Sequence, residues 1–168
     1  MAKQYNKSSQ NNSEAYRQLA EIEGTVPPQA IELEQAVLGA LMLEKDAIID
    51  VQEYIKPETF YTEEHRIIFQ AIQELSFEMK AIDLYTVTEC LKSHRQLTKV
   101  GGAAYLAQLT QRVASAAHIE FHAKIIAQKY VQRELIRSAT GILRRSYDED
   151  QDVADLLRYA EREIDRVA

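Results

Sequence analysis

The stretch that decides the fold is residues 118–147, which read HIEFHAKIIAQKYVQRELIRSATGILRRSY. It contains no proline and a single glycine, Gly141. It is far longer than an average helix, which has about 11 residues. Apolar residues recur along it at intervals of three and four, as on one face of an α-helix. The stretch therefore predicts one long helix that projects from the part of the chain before it.

A second helical segment follows the acidic turn formed by residues 148–151. In each segment, residues spaced alternately by three and four form a line along one helix face, here called a seam. Its members are Val131, Leu135, Ser138 and Ile142 in the long helix, and Val153, Leu157, Ala160, Ile164 and Val167 beyond the turn. Two such seams facing each other predict an antiparallel helical hairpin over residues 118–168. The net charges agree, because six Lys or Arg against two Glu give residues 118–147 a charge of +4, while eight acids against three Arg give residues 148–168 a charge of −5.

The seams contain more apolar surface than two arms can cover, which predicts that the hairpin also mediates self-association. The residues expected to carry it are Val131, Leu135, Val153, Leu157 and Ile164. Aspartate in place of Leu157 or Ile164 is expected to bury a charge in the seam and to disorder the hairpin.

Residues 26–117 are predicted to form a helical head. After Pro27-Pro28, residues 30–43 form an apolar segment that predicts a central, buried helix, since residues 36–43 carry no charge. Asp46, Thr62 and Asp83 are the residue types that cap helices, and they predict the starts of a second helix through Tyr54, a third of about four turns and a fourth. Gly101-Gly102 is expected to open a fifth, with an apolar face formed by Tyr105, Leu106, Leu109 and Val113.

Composition limits the functional classes. Residues 1–25, polar at their start, predict a flexible tail, and no alternating strand pattern occurs, so the fold class is all-α. The chain of 168 residues carries a net charge of −6 with a pI near 5.3, the wrong sign for a domain whose main task is to bind a phosphate backbone. One cysteine, Cys90, and the absence of a leader-like apolar run predict a cytoplasmic protein with no disulfide and no Cys-rich zinc site.

No catalytic or cofactor site is expected. The glycines at 24, 39, 101, 102 and 141 never form the Gly-x4-Gly-Lys-Ser/Thr phosphate loop, so this chain is not predicted to be an ATPase. His118 and His122 share a helix face, but they lack a third metal ligand, and no metal site is predicted. His65 is expected to be a packed, hydrogen-bonded residue rather than a general base.

A basic stripe runs along the long helix, on the side away from Val131 and Leu135. Its members are Lys129, Arg133, Arg137 and Arg144. A solvated face partly neutralised by the acidic arm is the favoured interpretation. A DNA-contacting face is the alternative that remains open.

Several short strings together resemble one family, the N-terminal domain of DnaB-type replicative helicases. The strings are Pro27-Pro28-Gln29, Glu34, Ala36-Val37-Leu38-Gly39, Pro57-Glu58-Thr59-Phe60-Tyr61, His65, Ile68-Phe69, Ile82-Asp83-Leu84-Tyr85-Thr86-Val87, Leu97, Gly101-Gly102-Ala103-Ala104-Tyr105-Leu106, Lys129, Arg133, Leu135-Ile136, Ala160-Glu161 and Ile164. Their order and spacing cover nearly the whole chain beyond the tail. One departure is Met79-Lys80, where the family often carries a glycine before the Ile-Asp pair.

The resemblance implies a collar domain that pairs through its hairpin within a hexamer and recruits primase. It also implies that a linker helix and a RecA-like motor using ATP and Mg²⁺ to unwind DNA follow in the complete protein, which would contact DNA mainly through that motor. Within the family, primase contacts the tyrosine of the Gly-Gly-x-x-Tyr-Leu string and two isoleucines of the long helix. The matching residues here are Tyr105, Ile136 and Ile142. Ile136 is one residue off the seam period and is the better candidate for a surface contact.

Three alternatives remain. The helicase-binding domain of a primase resembles this fold, although a start at Met1 with a full tail argues against it. A helical DNA-binding domain would use the basic stripe, against the acidic balance of the chain. A zinc-dependent hydrolase would have to be built on His118 and His122.

Overall fold

The structure, a computed structural model, describes residues 18, 21–22, 24–113 and 116–168. The helices described over their whole length are α1 Ile31–Leu43, α2 Ala47–Val51, α3 Glu63–Phe77, α4 Leu84–Ser93, α5 Gly102–Gln111, α6 Ile119–Ser146 and α7 Val153–Val167, with a 3-10 turn at Pro57–Thr59. These described residues contain no strand, and the all-α prediction is confirmed. None of their helices combines the length and the apolar character that a membrane crossing requires. Most of the tail predicted at residues 1–25 lies outside the described residues, and it stays a prediction.

Helix α1 is the centre of the head. Its uncharged half is buried, with Val37 and Leu38 fully covered, because α3, α5 and α6 pack around it. Gly39 allows α5 to approach α1 closely. A Cβ atom there would lie 2.2 Å from the carbonyl oxygen of Leu109 on α5. The predicted central helix is thus confirmed.

Two of the three predicted N-caps are confirmed. The Thr62 hydroxyl accepts a hydrogen bond from the backbone N–H of His65 at 3.2 Å. Asp83 Oδ1 accepts one from the N–H of Thr86 at 2.8 Å, while the Thr86 hydroxyl oxygen accepts one from the N–H of Asp83 at 3.0 Å. This reciprocal pair is a capping box, which satisfies two helix-end donors at once.

The prediction for Asp46 is wrong. Asp46 precedes α2, but its backbone is left-handed, with φ of 68°, and its side chain makes no capping hydrogen bond. A capping side chain needs extended backbone at its own position to reach the next N–H groups. The helix also ends at Val51, before the predicted end at Tyr54.

The backbone is also left-handed at Met79, the position where the resembled family often carries a glycine. Met79 follows the end of α3 with φ of 55°, and the N–H of Lys80 donates to the carbonyl oxygen of Leu75 at 2.9 Å. This is the helix ending that usually employs glycine, so methionine occupies a glycine-type position here. Gly101 and Gly102, with φ of 106° and 75°, form the expected turn into α5.

Helix α6 belongs to both parts of the molecule. Its first turns bury Ile119, Ala123 and Ile126 in the core of the head. Its second half runs beyond the head and pairs with α7, as the cross-helix contacts of Glu134 with Arg166 and of Ser138 with Glu163 show. The predicted long helix and antiparallel hairpin are confirmed.

Candidate protein–protein interface

The seam between α6 and α7 is polar and close-packed. The Ser138 hydroxyl lies 3.1 Å from a carboxylate oxygen of Glu163, and Arg166 donates to the carboxylate of Glu134 at 2.7 Å. Glu134 and Ser138 are buried. The hydrogen bond from Arg166, followed by that from Ser138, lowers the pKa of the Glu163 carboxyl. In the ion pair between Glu134 and Arg166, the acid lies on α6 and the base on α7. This is the reverse of what the net charges of the two arms suggested.

A tyrosine fills the next turn of the seam. A Cβ atom on Gly141 would lie 2.6 Å from the hydroxyl oxygen of Tyr159, so the glycine makes room for this ring. The guanidinium of Arg145 stacks over the same ring, 3.8 Å from its centroid. Small and polar residues therefore let the two arms approach. The seam spacing correctly included Ser138, but it did not include Gly141 and Tyr159.

The seam predicted from apolar spacing is wrong in its main members. Their exposed fractions are 42% for Val131, 43% for Leu135, 68% for Val153, 61% for Leu157 and 47% for Ile164. These five residues, here called the apolar stripe, do not pack between the arms. The expectation that aspartate at Leu157 or Ile164 would bury a charge in the seam fails for the same reason.

The apolar stripe lies on one face of the hairpin. Leu135 directly follows the seam residue Glu134, and Ile164 directly follows the seam residue Glu163. Each step along a helix rotates the side chain by about 100°. Because the arms are antiparallel, the residues that follow the seam point to the same side of both helices. Val131 lies one turn before Leu135, and Val153 and Leu157 lie on the Ile164 side of α7.

Arginines that precede seam residues occupy the other face. Arg137 pairs with Glu134 at 2.6 Å, and Arg144 is exposed. Arg133 behaves differently, because it donates to the carbonyl oxygens of Pro28 at 2.8 Å and Thr59 at 2.7 Å. Burial there lowers the pKa of its guanidinium. Arg133 therefore anchors α6 to the head, a role that its helical spacing did not indicate. It does not belong to a free basic stripe with the half-buried Lys129.

Tyr105 closes a buried polar network in the head. His65 is 2% exposed, its Nδ1 lies 2.6 Å from a carboxylate oxygen of Glu34, and its Nε2 lies 2.8 Å from the Tyr105 hydroxyl. The second carboxylate oxygen of Glu34 accepts a hydrogen bond from the backbone N–H of Tyr61 at 2.7 Å. The packed, hydrogen-bonded interpretation of His65 fits this geometry. The ring of Tyr105 also lines a surface cavity of about 350 Å³ beside Lys99.

The two isoleucines of the candidate partner site face different ways. Ile136 is 48% exposed and follows Glu134 by two residues, so it points away from α7. Ile142 is partly buried and lies seven residues after Leu135, which places it on the side of the apolar stripe. Ile136 is thus available to a partner without any change of the fold.

His118 and His122 do not form a metal cluster with Glu120. Their ring centroids are 6.4 Å apart. Glu120 instead accepts hydrogen bonds from Lys124 at 2.6 Å and from the Tyr54 hydroxyl at 3.1 Å. Both hydrogen bonds lower the pKa of the Glu120 carboxyl, and the one from Lys124 has the larger effect.

Comparison with known proteins identifies relatives of this arrangement. The family model "DnaB-like helicase N terminal domain" matches residues 26–128. A replicative DNA helicase DnaB from Rhodothermus marinus is 47% identical over 145 residues, which are 86% of this chain and 15% of that protein. The chain thus spans a small part of that relative.

Two solved structures share the fold. The N-terminal domain of DnaB helicase from Mycobacterium tuberculosis matches with a TM-score of 0.80 and 36% identity, over 84% of this chain and 99% of that one. A DnaB-like replicative helicase, described together with its interactions with primase, matches with a TM-score of 0.69 and 23% identity, over 83% of this chain and 32% of that one.

Proposed function

Because this chain belongs to the family of DnaB-like helicase N-terminal domains, we propose that it is the protein-binding collar of a replicative helicase. In this role the hairpin over residues 118–168 joins copies of the chain within a hexamer, and the head over residues 26–117, together with the exposed side of α6, receives primase. The observation that carries the proposal is the apolar stripe, which the fold leaves uncovered.

A second copy of this chain is the occupant that fits the stripe. Leu135, Leu157 and Ile164 lie side by side on two antiparallel arms, so the same surface on another copy can cover them across a two-fold axis. A contiguous exposed apolar patch is typical of a surface that contacts another protein. The stripe also avoids the arginines, which lie on the opposite face of the hairpin.

Light scattering on the purified chain tests self-association. We expect wild type to have a mass at least twice that of the 19.2 kDa monomer. The double variant Leu157→Asp, Ile164→Asp should be monomeric with unchanged helicity, since both side chains are exposed in the single chain. Phe77→Asp, at a site on α3 that is 89% exposed, is the matched control and should keep the wild-type mass. A monomeric wild type, or a stripe variant that still associates, would contradict the proposal.

Primase is the second proposed partner. The support is that one solved relative is described with its interactions with primase, and that Tyr105 and Ile136 are accessible here. Tyr105 borders a surface cavity that an apolar side chain can enter, and Ile136 offers an exposed apolar side chain on α6. Ile142 contributes from the side of the stripe, so self-association and primase binding meet at this residue.

The longer protein is proposed to unwind DNA with ATP and Mg²⁺ in the cytoplasm, as a replicative helicase. The support is that the relative from Rhodothermus marinus is named a replicative DNA helicase. The 168 residues themselves contain no Gly-x4-Gly-Lys-Ser/Thr string. Contact with DNA is assigned mainly to the remainder of the longer protein. Purified residues 1–168 should neither bind nor hydrolyse ATP, and turnover that a point change within them abolishes would contradict this assignment.

A further inference from the structure

Three metal-binding side chains meet where α3 and α4 end. Cys90 lies in the last turn of α4, and His94 follows that helix as its C-cap, so the two share one side of it. Glu74 lies in the last turns of α3, which packs against α4. One ligand atom from each side chain lies within 4.8 Å of the other two. The helix pairing therefore brings together a thiol, an imidazole and a carboxylate.

The imidazole and the carboxylate lie slightly closer together than two ligands of one tetrahedral ion, and the Cys90 sulfur lies within 4.8 Å of both. His94 Nε2 lies 3.0 Å and 2.9 Å from the two carboxylate oxygens of Glu74. Metal–ligand bonds of about 2.0–2.3 Å at tetrahedral angles imply ligand–ligand distances of roughly 3.3–3.8 Å. An ion can thus take the place between imidazole and carboxylate after a small opening of that pair. His94 and Glu74 are 48% and 41% exposed, so both can adjust.

The charges beside the cluster are compatible with a cation. The nearby ammonium of Lys80 pairs with the carboxylate of Glu78 at 2.6 Å, so its positive charge is offset. A divalent ion bound next to Cys90 would stabilise the thiolate, which is the form of cysteine that binds metal.

We propose that Glu74, Cys90 and His94 bind one Zn²⁺ ion, with water in the fourth position. The donor set of sulfur, nitrogen and oxygen suits zinc, whereas Mg²⁺ and Ca²⁺ select oxygen ligands. The ion would tie the end of α3 to the end of α4. This site is separate from the hairpin and from Tyr105, and it adds a metal-dependent element to a head that the sequence predicted to be free of metal.

Cobalt binding tests the proposal, because a cobalt–thiolate bond produces a charge-transfer band in the near ultraviolet. The chain has one cysteine, so such a band can arise from Cys90 alone. After chelator treatment, we expect Co²⁺ to produce the band at one equivalent and Zn²⁺ to remove it by displacement. Cys90→Ser should abolish the band, and His94→Ala and Glu74→Gln should each weaken Zn²⁺ binding at least tenfold in a chelator competition.

The matched control is the double variant His118→Ala, His122→Ala, which should bind Co²⁺ and Zn²⁺ as wild type does. Zn²⁺ should also raise the melting temperature of wild type but not that of Cys90→Ser. Circular dichroism verifies that each variant is folded. The exposure of Glu74 and His94 and the near-equal size of serine and cysteine at position 90 favour this. The proposal is overturned if wild type shows no band, if the His118/His122 variant loses it, or if His94→Ala and Glu74→Gln bind Zn²⁺ like wild type.

Discussion

The Nε2 atom of His65 lies 2.8 Å from the hydroxyl oxygen of Tyr105. His65 is buried, and its other ring nitrogen already contacts Glu34. The hydroxyl of Tyr105 is therefore engaged in the fold, while its ring faces the surface cavity. A partner that uses Tyr105 meets the ring rather than the hydroxyl.

Tyr105→Phe should consequently destabilise the chain without weakening primase binding. Removal of the hydroxyl leaves the buried Nε2 of His65 without this partner, at a cost of about 1–2 kcal/mol. Chemical denaturation measures this loss, and titration with the primase domain measures binding. Tyr85→Phe, at a position that is 74% exposed, should change neither quantity. A Tyr105→Phe variant as stable as wild type would show that the contact carries no stability.

Gly39→Ala should destabilise the head by about 1–3 kcal/mol, as overpacking does in a close-packed core. The new Cβ would meet backbone, the carbonyl oxygen of Leu109 at 2.2 Å, which cannot rotate away. Alanine has the higher helix propensity by about 1 kcal/mol, but this gain is smaller than the expected clash. Gly24→Ala is the control, because nothing lies within 4 Å of its Cβ position. Stabilisation of the Gly39 variant in a thermal melt would mean that α1 and α5 can separate freely.

The sequence was sufficient for the helices, since each has an apolar face of its own. Local caps were also predictable at Thr62 and Asp83, where the backbone before the helix is extended. The prediction from sequence failed at Asp46, where the residue type suits a cap but the left-handed backbone does not. Residue type alone does not determine the backbone dihedral angles, which depend on the packing of α2.

The apolar stripe shows why the hairpin seam was misplaced. Apolar periodicity records surfaces that avoid water, and it does not distinguish contacts within a chain from contacts between chains. Leu135 and Leu157 therefore fitted the seam by spacing, whereas Glu134 and Gly141, which do lie between the arms, are polar or small and were missed. The Glu74, Cys90 and His94 cluster was missed for a related reason, because α3 supplies one ligand and α4 the other two.

The hairpin should loosen in acid. The folded-state pKa of Glu163 is lowered by Arg166 and Ser138, so its charged form is favoured by folding. Stability from this group is present above its ordinary value of about 4.3 and is lost as the pH falls through the lowered folded-state pKa. Amide-exchange protection across the seam, corrected for the intrinsic rate at each pH, should decrease in that range, and Glu163→Gln should reduce this acid-dependent change. Equal acid sensitivity in wild type and Glu163→Gln would rule out this carboxylate as the cause.

Ile136→Ala should weaken primase binding at least several-fold while leaving the fold intact. An apolar anchor at an interface contributes about 1–3 kcal/mol, and Ile136 is 48% exposed on the side of α6 that faces away from α7. Truncation there removes little core contact, so the melting temperature and the mass in solution should stay those of wild type. Ile49→Ala is the matched control, because this isoleucine on α2 is 59% exposed and lies outside the proposed partner site. Titration of the primase domain against the three proteins, with melts in parallel, separates the outcomes. Unchanged binding by Ile136→Ala would move the primase surface elsewhere, and a joint loss of binding and melting temperature would show that Ile136 supports the fold instead of contacting the partner.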